Sequence, residues 1–239
     1  MLSIAQSELT QISRNRLVLF NSFIIPVAAC AFFVYQHETF ADLHSLGYIA
    51  AVVMYTVTAF GLYATTVTTL AARRQNLFLK RLRSTPASDA GILSGLLLPV
   101  TVLAVVQVTA ILAVLAVVAG SPANVPLLAA AVVSSVIMML GLGLATAGVT
   151  NSPEHAQVTT LPVSLGAIAV SNWVGIAGTE EMTLLKRLLP GGSATELAMN
   201  AWNGGVPVAD SLLLLLPTLG WVVAAVALAS RFFRWEPRR

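Results

Sequence analysis

Long apolar runs separated by short polar segments set the rhythm of this chain. Leu17–Tyr35, Leu46–Ala72, Gly91–Ala119, Val125–Thr150, Val158–Ala177 and Val208–Ser230 each approach or exceed the length of a membrane-crossing helix, which needs about 20 mostly apolar residues. The pattern predicts an all-α membrane protein with six transmembrane helices in one domain spanning 1–239. Arg14 and Arg16 precede the first run, and Ala29-Cys30-Ala31 has the look of a signal-cleavage site. Phe32-Phe33-Val34-Tyr35 carries the run past that point, so it reads as an uncleaved anchor. In residues 1–16, Ile4, Leu9 and Ile12, continued by Leu17, approximate a helical stripe among Ser, Gln and Glu. This predicts an amphipathic helix lying on the membrane surface. The 178–207 segment is too polar to span and too apolar for a simple loop. Met182, Leu184, Leu185, Leu188 and Leu189 come first, Pro190-Gly191-Gly192 breaks the helix, and Ala194–Trp202 resumes it. It reads as a helical hairpin re-entering the outer leaflet, where backbone must be helical or buried in protein.

Composition agrees with the spans. The chain is 57% hydrophobic and 10% charged, against about 25% charged residues in a soluble domain. The charge that remains is unevenly placed. Of thirteen Lys and Arg residues, Arg14 and Arg16 lie before the first span, five lie in 73–90, and Arg231, Arg234, Arg238 and Arg239 follow the last span. Only Lys186 and Arg187 lie elsewhere. Positive residues stay on the cytosolic side, so both termini and the 73–90 loop are expected in the cytosol. An even number of spans fits. No basic face on a soluble domain is present, which excludes nucleic acid as a partner. The single cysteine, Cys30, excludes an internal disulfide and reads as a small core hydrophobe.

Much chemistry is missing. There is no phosphate-binding Gly-x-x-x-x-Gly-Lys-Ser/Thr loop, no Gly-x-Ser-x-Gly elbow and no His-Glu-x-x-His pair. The chain is therefore not expected to be an enzyme or to hydrolyse ATP alone. His37, Glu38, Asp42 and His44 cluster in one loop without the spacing of a zinc site, and Glu154-His155 lies in another. None of the ten acidic residues sits mid-span. Ion-coupled transporters usually keep a carboxylate there, so energy for transport would come from outside the chain. Gly141, Gly143, Ala145, Ala147 and Gly148 allow close helix contact in the fourth span, read as packing within the bundle.

The basic patch Arg73–Pro86 is the densest signal. Leu77, Phe78 and Leu82 can face one side of a short helix, with Lys80, Arg81 and Arg83 on another. The spacing leaves two roles open, docking of a soluble partner or topology-setting charge beside anionic lipid.

Leu79-Lys80-Arg81-Leu82-Arg83-Ser84-Thr85-Pro86, taken with Phe232-Phe233-Arg234-Trp235, resembles the membrane subunit of type-2 ATP-binding-cassette (ABC) exporters along the whole chain. That family has a surface helix, six spans, a cytosolic coupling helix between spans two and three, and a re-entrant hairpin before span six. The resemblance implies that Leu77, Phe78, Lys80, Arg81, Leu82 and Arg83 couple to a separate cytosolic ABC ATPase dimer. ATP and Mg²⁺ would be held by that partner, and a second permease chain, like or unlike this one, would complete the assembly in contact with membrane lipids. Spans two and five flank the family's central path. That makes the shared face of Tyr55, Thr58, Thr65 and Thr69, with Asn172 and Trp173, the expected lining for an amphipathic cargo such as a drug, antibiotic or lipid-like molecule. Export of a carbohydrate or lipid-linked polymer, and a scaffold or sensor without a path, are the alternatives. Two departures stand out: Gln75 where the family usually has an acid, and Leu77 where it usually has glycine.

Overall fold

A computed structural model describes residues 6, 10, 24–43, 45–233 and 235, with 25 and 41–43 as backbone only. Among these residues every regular element is helical. The first are α1 (Ile25–Tyr35) and α2 (His37–Leu43). Ser45 then starts a continuous rod, its Oγ accepting from the Tyr48 N–H at 3.1 Å and so satisfying one orphan donor of the helix start. The rod comprises α3 (Leu46–Thr56), a π-helical stretch (Val57–Ala64) and α4 (Thr65–Gln75). At 30 residues it is about 45 Å long. A turn leads to the short α5 (Phe78–Arg83). Ser88 caps α6 (Asp89–Ala119), and Asn124 caps α7 (Val125–Val149) through its Oδ1, 3.0 Å from the Leu127 N–H.

Two later spans are bent. One is α8 (Pro153–Thr159) with α9 (Leu161–Ala177); the other is α12 (Val208–Leu213) with α13 (Leu215–Phe232). Pro162 and Pro217 have no N–H for the carbonyl four residues earlier, so each ladder opens just ahead of its proline. Between these spans lie α10 (Thr183–Leu188) and α11 (Gly192–Asn203).

Five helices, Leu46–Gln75, Asp89–Ala119, Val125–Val149, Pro153–Ala177 and Val208–Phe232, are long and apolar enough to cross a membrane. The chain is a multi-pass membrane protein, all-helical among the described residues. Of the expected first span the structure describes α1, 11 residues long; residues 17–23 lie outside the described set. So does the expected surface helix, except that Gln6 and Thr10 are helical and Thr10 Oγ1 donates to the Gln6 carbonyl at 3.0 Å. The second span runs past its expected end at Ala72 to Gln75, placing Arg73 and Arg74 in the last turn, where cations favour the helix dipole.

The rod is the centre of the molecule. α1, α6, α7, α9 and α11 all pack on it, and α13 lies along the outside of α7. In its most apolar stretch 89% of residues are buried, against 28% for Asp89–Ala119 and 17% for Val208–Phe232. The buried helix is the one rich in hydroxyls, and the exposed helices are nearly all hydrocarbon. That arrangement suits lipid rather than water as the solvent.

Hydroxyls on the rod are satisfied in two ways, except that Thr66 Oγ1 is buried without a hydrogen-bond partner. Thr56, Thr58 and Thr68 donate back to the carbonyls of Val52, Met54 and Ala64 at 2.8–2.9 Å. Others reach sideways. Tyr48 donates to Asn172 Oδ1 of α9 at 2.7 Å, and Tyr55 and Tyr63 pair with Ser135 and Thr146 of α7 at 3.3 and 3.0 Å. Glycines let these helices close. A Cβ on Gly143 would lie 2.9 Å from Thr66 Cγ2, and one on Gly175 would lie 2.2 Å from Tyr48 Cδ2. The small residues of α7 thus face the chain's own helices. Gly175→Val is expected to push Tyr48 out of place and break its bond to Asn172, costing about 1–3 kcal/mol by overpacking. Gly166→Ala, with nothing within 4 Å of the added carbon, serves as the neutral control in thermal unfolding in detergent.

Candidate functional site

Polar chemistry collects at the two ends of the rod. The end at Gln75 is the basic end. Asn76 N–H bonds the Ala72 carbonyl at 3.1 Å, and Leu77 N–H bonds the Arg74 carbonyl at 3.0 Å. Leu77 then takes a left-handed conformation, φ 57° and ψ 14°, which turns the chain into α5. Glycine occupies this region freely, whereas an L side chain there costs about 1–2 kcal/mol. Position 77 therefore holds a leucine where the backbone favours glycine.

α5 does not sort its side chains as the sequence pattern suggested. Leu79 is fully buried, Phe78 and Leu82 are half-buried against the core, and Leu77 is 47% exposed. The inward anchor is Leu79, whose spacing of three from Leu82 is the signal that could have found it. Leu77 instead joins Asn76, Lys80, Arg81 and Ser84 around a shallow cavity of about 350 Å³.

The five cations of this segment divide into distinct tasks. Arg74 is buried and donates to the Thr150 carbonyl at the end of α7. The Arg73 guanidinium lies 5.4 Å from the Phe78 ring centre. Arg81 donates to the Asn76 carbonyl at 3.0 Å, stiffening the turn. Arg83 faces its own chain, 3.3 Å from Asp89. Lys80 and Arg81 remain at the cavity's edge.

The expected lining residues occupy two layers. Tyr55 and Thr58 are fully buried, and Thr65 and Thr69 are 5% and 9% exposed. All four sit inside this chain's bundle. Asn172 is half-buried, joined to Tyr48 and donating from Nδ2 to the Ile168 carbonyl at 2.8 Å. Trp173 is 36% exposed on α9.

At the far end α10 is built inside out. Leu184, Leu185 and Leu188 are 77%, 50% and 60% exposed while Lys186 is 2% exposed. The Lys186 ammonium donates to the carbonyls of Gly178 at 2.6 Å and Ala177 at 3.4 Å, and lies 5.2 Å from the Trp173 ring centre. It closes the last turn of α9, where a cation is favoured. Arg187 forms a bidentate pair with Glu196 of α11 at 2.7 and 2.6 Å, and Thr179 donates to the same carboxylate at 3.0 Å. Those bonds push the Arg187 pKa up. Trp221 of α13 donates to the Leu188 carbonyl at 2.7 Å.

The hairpin turn penetrates the bundle. A Cβ on Gly191 would stand 3.2 Å from the Tyr55 ring, and Tyr55 lies about 14 Å along the rod from Leu46. Sequence reading broke this segment at Pro190-Gly191-Gly192, as the structure does between α10 and α11, but counted Lys186 and Arg187 as one pair of loop cations.

Among the described residues no group of three His, Cys, Asp or Glu side chains is placed to hold a metal ion. Cys30 is buried in α1. No family model matches the chain, and no curated protein matches it.

Lys186→Met, which keeps the length of the side chain but not its donors, is expected to leave two carbonyls unpaired and cost about 1–3 kcal/mol. Thermal unfolding would show it as a lowered midpoint. Leu184→Met, at an exposed position, should leave the midpoint in place.

Proposed function

We propose that this chain is the membrane subunit of an ATP-driven exporter of the type-2 ABC kind. It works as a pair with a second such chain and with a separate cytosolic ATPase dimer that binds ATP and Mg²⁺. The observation that carries the reading is the mounting of α5. This short helix is seated by Leu79, Phe78 and Leu82, and Arg74 fastens the rod's end to α7. Leu77, Lys80 and Arg81 face outward around the cavity. A partner pressing on that face would move the rod, which touches most of the bundle, instead of flexing a loop. An exposed leucine ringed by cations suits a protein surface with an apolar centre and acidic flanks.

On this reading the basic end is cytosolic, and the hairpin α10–α11 re-enters the outer leaflet. The inside-out pattern of α10 supports that depth: its leucines suit acyl chains, and its lysine has no access to them. The cargo path runs along the α9 face bearing Trp173 and Asn172, between two copies. Tyr55, Thr58, Thr65 and Thr69 form the polar layer behind it, which movement of the rod would bring to the path. The cargo is amphipathic, a drug, antibiotic or lipid-like molecule. The absence of any mid-span carboxylate from the sequence supports ATP rather than an ion gradient as the energy source.

Topology is tested by single cysteines in intact cells. Labelling is expected at position 181 from outside, and at position 75 only after the membrane is opened. External labelling at 75 would reverse the orientation. Docking is tested in proteoliposomes containing the chain and its ATPase. Leu77→Asp, or Lys80→Glu with Arg81→Glu, should weaken ATPase association by at least about tenfold, since desolvating an unpaired or mismatched charge at an interface costs several kcal/mol. The reading fails when the chain hydrolyses ATP alone, or when a correctly inserted variant combining Leu77→Asp, Lys80→Glu and Arg81→Glu exports an amphipathic dye at the wild-type rate.

A further inference from the structure

The segment that follows α13 returns to α5. Gly148 of α7 makes room for it: an added Cβ would lie 2.8 Å from the Phe232 carbonyl carbon and oxygen, and 3.0 Å from the Phe233 nitrogen. The end of α13 therefore crosses α7 in backbone contact. Phe233 leaves the helix in an extended conformation, and its ring meets the Trp235 indole edge to face at 5.4 Å. The indole in turn carries the Arg83 guanidinium, 5.1 Å from its centre. Arg83 also reaches Asp89 in the first turn of α6, Nε to Oδ1 at 3.3 Å and a terminal nitrogen to Oδ2 at 3.3 Å. The ion pair is about half exposed on both sides, and such a pair alone holds little. A guanidinium that stacks on an indole while pairing with a carboxylate is more constrained than either contact makes it. At this junction a cleft of about 320 Å³ is lined by Asp89 and Leu93 of α6, Gly141 and Leu144 of α7, Val226 of α13, and Trp235.

We propose that Trp235 is a positioning residue for α5. Through Arg83 it fixes the angle at which the helix presents Leu77, Lys80 and Arg81, and it ties the helix to α13. One end of α5 is joined to the rod by the left-handed turn at Leu77. The other end is held by Asp89 and Trp235. With both ends held, a push on α5 reaches the rod and α13 together. With the indole gone, α5 pivots at the Leu77 turn, and the cleft gives the loosened segment room to move. The transmission half of this proposal rests on the ATPase-coupling reading; the clasp itself does not.

The test separates the two. Spin labels at Ser84 and Glu154, in a Cys30→Ala background, report the position of α5 in the permease alone in nanodiscs. Wild type should give one narrow distance. Trp235→Leu should broaden it, Arg83→Gln, which also loses Asp89, at least as much, the double variant no further than Arg83→Gln, and Trp235→Phe, which keeps an aromatic face, should stay narrow. In proteoliposomes with the ATPase, Trp235→Leu should lower export per ATP hydrolysed by about threefold, the scale of an exposed cation–π contact, and Trp235→Phe should restore it. An unchanged distance in Trp235→Leu, or broadening that accumulates in the double variant, overturns the clasp. A clasp that broadens as expected, in a chain that neither binds an ATPase nor exports dye, sinks the coupling reading and leaves Trp235 as the residue that positions α5.

Discussion

A hydroxyl buried in apolar surroundings must find its partner within the protein, and the rest of this structure follows from how the central rod meets that demand. Leu46–Gln75 carries Tyr48, Tyr55, Thr58, Tyr63 and a run of threonines through the bundle. Water is not available to satisfy them at that depth. Thr56, Thr58, Thr65 and Thr68 turn back on their own helix, which costs no neighbour, while Thr66 Oγ1 stays buried without a partner. Tyrosines are too long for that and bond α7 and α9 instead. Each sideways bond fixes the register of one neighbour against the rod, so the rod specifies the bundle as well as filling it. The glycines facing Tyr48 and Thr66 are the counterpart: the bonds form only if the backbones come close enough.

That fixed register gives the two ends of the rod a definite relation. At the basic end, Arg74 bonds α7 where α7 finishes, so rod and α7 stop together. At the far end, Gly47 N–H bonds Asn203 Oδ1 of the hairpin at 3.0 Å, and the hairpin turn reaches Tyr55. A displacement of the rod along its axis is felt at both membrane faces. The eight-residue π-helical stretch lies between them. Such stretches loosen the backbone ladder and recur at functional sites, and Ser164 of α9 donates to the Ala59 carbonyl within it at 3.4 Å. The rod is therefore least regular where α9, the helix of Asn172 and Trp173, crosses it.

Run length alone announced the membrane fold, because about 20 apolar residues have few other uses. The unevenness of Lys and Arg placed the basic helix at one end. Leu77 takes a left-handed backbone that glycine adopts freely, a requirement its own side chain does not announce. What the sequence hid is direction. Tyr55, Thr58, Thr65 and Thr69 were placed on one face by assuming 3.6 residues per turn, yet the π-helical stretch Val57–Ala64 contains Thr58, separates Tyr55 from Thr65 and Thr69, and changes that count. Lys186 was hidden for a different reason. Counting charges by loop treats a lysine as solvated, and nothing local shows that two backbone carbonyls and an indole await it. Arg83 was grouped with Lys80 and Arg81 because the residues it meets, Asp89 and Trp235, are six and more than a hundred positions away.

Leu77 and Met182 are the two non-glycine residues with left-handed backbone among those described. Each immediately precedes a six-residue helix, α5 at one end and α10 at the other. Helices this short have no stability of their own, since nucleation costs more than one or two turns return. Both exist because the chain holds them. α5 is held by Leu79, Arg73 and Arg83; α10 by Lys186, the Arg187–Glu196 pair and Trp221. A short helix held at several points cannot bend away from a load. It either moves with its mounting or comes off it. Each end of this molecule therefore carries a short helix seated at several points, basic and apolar at one end and with leucines outward at the other.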